Sequence, residues 1–167
     1  MYTKLPALTE AQVEDLLKLQ TELKMTDAVG HRVRIGANAP NKMSKYSYSR
    51  WFSWTRHQRA LYKSIIPEHI VSRSLQCWFL KFDPVVGFLD EMTVWVGKAS
   101  SGTVIAYALQ DGMSITLDNG HRVHVPKGEG ISFHLSTVHE VPPTKQGGLW
   151  ACVMIRGCHS TCQHEPK

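Results

Sequence analysis

The stretch Pro126-Lys127-Gly128-Glu129-Gly130-Ile131-Ser132-Phe133, followed by His139-Glu140-Val141-Pro142-Pro143 and then Gly147-Gly148, decides how this chain is read. Gly128 and Gly130 mark a sharp turn, since glycine adopts left-handed backbone at no steric cost. Ile131 and Phe133 alternate with Ser132 in the period of two that a strand requires. A single His follows just beyond, and Val-Pro-Pro ends that segment because proline cannot continue a central strand. The Gly pair opens one more apolar run. The order is therefore turn, strand, His, turn, strand.

Upstream the same texture extends back to residue 76. Eight short β-type runs are expected: Gln76–Phe82, Met92–Val96, Thr103–Leu109, Met113–Leu117, His121–Val125, Ile131–Leu135, Val138–Val141 and Leu149–Ile155. Turn residues divide them, and Asp118-Asn119-Gly120 is a strong hairpin signal because Asn and Gly tolerate positive φ. Eight short strands with regular turns predict a jelly roll or related barrel. Before residue 75 the pattern is helical. Thr9 with Gln12 forms a capping-box pair, and Val13, Leu16, Leu17 and Leu23 recur near helical spacing, which predicts an amphipathic helix over 10–24. A second helix is expected over 51–65, ending before Pro67. Residues 26–49, punctuated by Gly30, Gly36, Asn38, Pro40 and Asn41, read as loop. The expected organisation is one domain over 1–167: a helical and basic loop region to residue 75, a β-barrel core over 76–156, and a tail over 157–167.

With 167 residues, 43% hydrophobic and 20% charged, the chain suits one domain that buries a core. No apolar run nears the roughly 20 residues that span a bilayer. The opening Met1-Tyr2-Thr3-Lys4-Leu5-Pro6-Ala7 lacks the apolar centre of a signal peptide. The expectation is a cytoplasmic protein without membrane association. Cys77 and Cys152 lie in apolar runs and read as small core residues. Cys158, His159, Cys162 and His164 crowd the tail, but their spacing matches no zinc motif.

The formal net charge of +5 is uneven. Between residues 28 and 67 there is no Asp or Glu, while Arg32, Arg34, Lys42, Lys45, Arg50, Arg56, Arg59 and Lys63 all fall there. Trp51 and Trp54 stand among them, with Tyr46, Tyr48, Phe52 and Tyr62. Cations interleaved with aromatic rings suit an anionic chain with stackable bases, so this segment is a candidate surface for nucleic acid or an acidic protein partner. The alternative is that the rings pack on the barrel and the cations form its solvated rim.

Helices first, then strands carrying Pro-Lys-Gly-x-x-x-x-Phe, His-Glu-Val-x-Pro and a Gly turn into the last strand: this order resembles the double-stranded β-helix of the iron(II)/2-oxoglutarate-dependent dioxygenases, and more distantly the cupins. Lys127, Gly128, Phe133, His139, Val141 and Pro143 carry the resemblance, which covers about residues 76 to 156. It implies a mainly β fold, an eight-stranded double-stranded β-helix or jelly roll with two N-terminal helices packed on one sheet. It also implies Fe(II) and 2-oxoglutarate, with a His-x-Asp pair near the second strand and a distal His on the seventh. Three such donors on one face leave iron open positions for cosubstrate and oxygen. His139 takes the distal position, and Asp90 or Glu91 supplies the carboxylate. The partner His is missing, since Phe88 stands two residues before Asp90 and Leu89 two before Glu91. The basic residue that pairs the far carboxylate of 2-oxoglutarate belongs about ten positions after the distal His, where this chain has Gly148-Leu149-Trp150. Arg156, Lys145 and Arg122 are the available substitutes. His134 and His139 are expected on neighbouring strands, and His121 and His124 on opposite faces of one strand.

Two functions follow. One is an iron/2-oxoglutarate oxygenase with an altered triad, acting on an anionic or nucleic-acid substrate. The other is a barrel that needs neither cofactor and serves as a binding or assembly module through its basic aromatic segment. The loss of both a metal ligand and the cosubstrate cation favours the second.

Overall fold

Two helix starts are fixed by side chains that satisfy the free amides of the first turn. At Thr9 the hydroxyl accepts from the Gln12 amide at 3.1 Å, and Gln12 Oε1 accepts from the Thr9 amide at 2.8 Å. The same box recurs at Thr55 and Gln58, with distances of 3.2 and 2.9 Å. The second box moves the expected 51–65 helix to a later start and leaves Trp51–Ser53 as a single 3-10 turn.

The computed structural model describes residues 2–29, 45–82, 88–90, 102–117, 120–134, 137, 139–141 and 146–156. Its elements are β1 (Tyr2–Leu5), α1 (Glu10–Glu22), β2 (Thr26–Val29), β3 (Lys45–Arg50), α2 (Arg56–Ile65), α3 (Glu68–Val71), β4 (Ser74–Phe82), β5 (Phe88–Asp90), β6 (Gly102–Ala108), β7 (Met113–Leu117), β8 (Arg122–Val125), β9 (Gly130–His134), β10 (His139–Val141) and β11 (Gly148–Arg156). They form two sheets, ordered β1-β9-β6-β11-β4-β3-β2 and β5-β10-β7-β8. Among the described strands from β4 onward, successive strands alternate between the two sheets except for the β7–β8 pair. That is a double-stranded β-helix, and the mainly β class with helices on one sheet is as expected.

The strands differ from the sequence reading in three places, and a short α3 (Glu68–Val71) follows the two expected helices. Residues 26–49 were expected as loop, yet Thr26–Val29 and Lys45–Arg50 pair antiparallel and extend the large sheet beyond β4. Tyr46 and Tyr48 alternate with Ser47 and Ser49, a strand period that the Gly and Asn residues at 30–41 obscured. Tyr2–Leu5 adds a further strand on β9. Phe88–Asp90 is a strand where a connection was expected, and the expected run Met92–Val96 lies outside the described residues.

The alternation of β11 sets two apolar layers. Leu149, Ala151, Val153 and Ile155 face the helices, and Trp150, Cys152 and Met154 face the second sheet. On the helix side Leu16, Leu19, Tyr62, Ile66 and Ile70 are almost fully buried. The Tyr62 hydroxyl donates to the Cys152 carbonyl at 2.9 Å, which ties α2 to the middle of β11. Gly128, with φ of +88°, makes the turn before β9, and a β-carbon there would meet the Leu8 carbonyl at 3.3 Å and a Val13 methyl at 3.4 Å. The glycine in Pro-Lys-Gly therefore lets α1 dock. Tyr2 Oη lies 3.4 Å from His121 Nε2, joining the edge of the large sheet to the β7–β8 turn of the small one. Among the described residues no helix is long and apolar enough to cross a membrane.

Candidate functional site

Strand register decides which residues share the barrel interior. Met113, Ile115 and Leu117 of β7 and Val123 and Val125 of β8 face inward. On β10, His139 stands opposite Leu117 on one side and opposite Asp90 on the other. Directly opposed positions in an antiparallel pair lie on the same face. Positions 90, 139 and 117 therefore form one rung of the inner face. Phe88 pairs with Val141 on the next inner rung, and Leu89 pairs with Glu140 on the outer face.

The register thus sets position 139 directly opposite position 90, the Asp of the implied pair. Glu91 lies outside the described residues. The remaining inward position of β5, two residues from Asp90, belongs to Phe88. An iron centre of the implied kind needs three donors on one face, and a phenyl ring donates nothing. The residues present do not fit the implied iron site. Among the described residues no three His, Cys, Asp or Glu gather elsewhere. The strands that carry His134 and His139 are not paired, because β9 belongs to the large sheet and β10 to the small one. His124 is exposed on β8, and His121 is exposed just before that strand.

The proposed cosubstrate cations separate in the same way. Arg122 lies on the exposed face of β8, and its Nε donates to Ser114 Oγ at 3.1 Å. Alternation with Val123 and Val125 points it away from the interior, which removes it as an internal anion partner. Arg156 ends β11 opposite Gly102, in line with Trp150, Cys152 and Met154. Lys145 lies outside the described residues. In the span where the resemblance implies a cation, Gly148-Leu149-Trp150, the large side chain on the inner layer is the buried Trp150, 2% exposed.

The basic aromatic segment divides into core and surface. Trp54 is 4% exposed, and its indole N–H donates to Ser49 Oγ at 2.8 Å. Its ring packs on Tyr62 and Phe79 at centroid distances of 5.1 and 5.7 Å. The expectation that Trp54 meets a partner is corrected: large apolar area with one polar atom is satisfied best by burial against a hydroxyl. Trp51 is half-buried, and Arg59 and Lys63 sit over its ring at 5.7 and 5.2 Å. Arg59 Nε also donates to the Trp51 carbonyl at 2.8 Å. These cations occupy the face that a nucleobase would need. Arg56 and Lys63 remain exposed on α2, and Phe52, in the turn that precedes it, is 72% exposed. Lys45 and Arg50 lie on β3, paired with Val29 and Trp78. Arg32, Arg34 and Lys42, like the Cys/His tail, lie outside the described residues.

Cys77 and Cys152 are free and buried, as expected of small core residues. Burial pushes the Cys77 thiol up to about 12, with the Ser74 hydrogen bond and Lys63 acting weakly against it. Cys152 is pushed up further by burial. Neither is set up as a nucleophile, because the thiolate is the reactive form.

No family model and no curated protein matches this chain. Solved structures do. A 2OG-Fe(II) oxygenase family oxidoreductase from Burkholderia pseudomallei aligns with a TM-score of 0.64 at 11% identity, covering 94% of this chain and 87% of that one. A Pseudomonas putida prolyl-4-hydroxylase aligns at 0.58 and 12% identity, covering 95% and 93%. A predicted oxalate decarboxylase from Thermotoga maritima aligns at 0.51 and 14%, covering 81% and 95%. Identities this low speak to architecture and not to chemistry. Topology and structural likeness together give this chain the double-stranded β-helix fold of the 2OG-Fe(II) oxygenases.

Proposed function

We propose that this protein is a binding module built on an oxygenase-type barrel and does not itself perform iron/2-oxoglutarate oxygenation. One observation carries the reading: the position two residues before Asp90, where the resemblance implies the first His of the triad, holds Phe88. Trp150 in the place of the cosubstrate cation supports it independently. The module meets an anionic partner, nucleic acid first among candidates, through the exposed cations of α2, with Phe52 as the aromatic contact.

A second reading is favoured by the same rung. Positions 90 and 139 are cross-strand partners, which supports a site built on two of the three implied ligands. In that case the barrel is an oxygenase with an altered iron site. Anaerobic iron(II) titration with 2-oxoglutarate, followed by succinate measurement after oxygen is admitted, separates the two. The binding-module reading expects no stoichiometric iron and no succinate. Succinate formation that disappears in His139→Ala would overturn it.

A further inference from the structure

Among the described residues two buried polar side-chain atoms have no hydrogen-bond partner: Trp150 Nε1 and Gln110 Oε1. Buried donors and acceptors are nearly always paired, so each orphan asks for a group that completes it. Trp150 lies in the apolar layer between the sheets, on a rung with Leu80 of β4 and Ala108 of β6. Ala106 and Ala108 both face that layer, so methyl-sized side chains flank the indole on β6. Gln110 follows two residues after Ala108. Strand spacing puts its Cα about 8 Å from that of Trp150, roughly 4.8 Å across the sheet and 6.6 Å along it. One orphan is a donor and the other an acceptor, at the same end of the large sheet.

We infer that this end of the barrel is a subsite for an uncharged ligand group that accepts a hydrogen bond from Trp150 and donates one to Gln110. A carboxamide on an apolar skeleton fits. A carboxylate does not: it has no proton for Gln110 Oε1, and a neutral indole does not offset the cost of burying its charge. The position that the family resemblance reserves for a cation thus selects against charge in this chain. The subsite is independent of whether iron binds.

The test uses the full-length 15N-labelled chain with 4-methylpentanamide and 4-methylpentanoate, one skeleton with a neutral or a charged end. The reporter is the Trp150 indole N–H resonance, assigned with Trp150→Phe. The amide should shift that resonance saturably, with the carboxylate at least about tenfold weaker. Gln110→Leu should weaken the amide by about 2- to 12-fold, the worth of one net hydrogen bond. The amide-to-carboxylate ratio is read on the wild-type chain, so it stands even where a variant fails to fold. Equal binding of both probes would overturn the inference. So would the absence of a saturable shift up to about 10 mM amide, or a slowly exchanging water on Trp150 that the amide does not displace.

Discussion

Gly148 opens β11 directly opposite Phe82, and the Phe82 ring lies across it. A β-carbon at 148 would stand 2.6 Å from Cε1 of that ring and nearer still to Cζ and Cε2. Carbon atoms rest about 3.5–4.0 Å apart, so the ring must move by at least about 1 Å. Phe82 is only 2% exposed, so its ring moves only by displacing the side chains packed on it. Gly148→Ala should therefore cost about 1–3 kcal/mol, the usual range for an overfilled core. At this chain length that is a fall in Tm of roughly 2–12 °C. Urea unfolding should show a lower midpoint with an unchanged slope. Phe82→Leu in the same chain should relieve the clash, giving a favourable coupling of about 1 kcal/mol or more in a double-mutant cycle. A Gly148→Ala variant within about 0.5 kcal/mol of wild type, or strict additivity with Phe82→Leu, would refute the packing argument.

Other outcomes follow from the same contacts. Tyr62→Phe should lose about 0.5–1.5 kcal/mol in urea unfolding, since it removes the hydroxyl that bonds the Cys152 carbonyl. Alkaline pH should destabilise the protein. Burial raises Cys77 and Tyr107 to about 12, and raises Cys152 and Tyr62 as well. The unfolded chain loses these protons at ordinary values while the folded one keeps them. The stability is thus full below about pH 9 and falls as pH rises toward 12. Cys77→Ala should flatten the decline of Tm above pH 9. If Arg56, Arg59 and Lys63 contact phosphates, oligothymidine affinity should fall with salt with a log–log slope near about −2. An affinity unaffected by salt would rule out that use of α2.

Much of the fold was legible in local patterns. The Thr9–Gln12 box, the Gly128 turn and the alternation of β11 each act within a few residues, so the string of residues records them directly. Residues 45–50 were misread because Tyr and Ser alternate beside a run of turn formers, and only pairing with β4 makes that segment a strand. Trp54 has two readings in the sequence, partner contact or packing on the barrel, and burial decides for packing. A tryptophan among cations looks like a stacking platform until the neighbours that bury it, Tyr62 and Phe79, are known.

The sequence by itself determined that His139 follows a Gly turn, that Phe88 precedes Asp90 by two residues, and that no cation stands where the family keeps one. These are statements of identity and spacing, and they suffice to question the iron site. Only the tertiary structure decided that positions 90 and 139 pair across β5 and β10, that Arg122 faces away from the interior, and that Trp150 and Gln110 leave a donor and an acceptor unpaired at one end of the barrel. The reason is physical: which groups meet depends on how strands pair, often between segments far apart in the chain, and a slip of one position would turn every side chain to the other face.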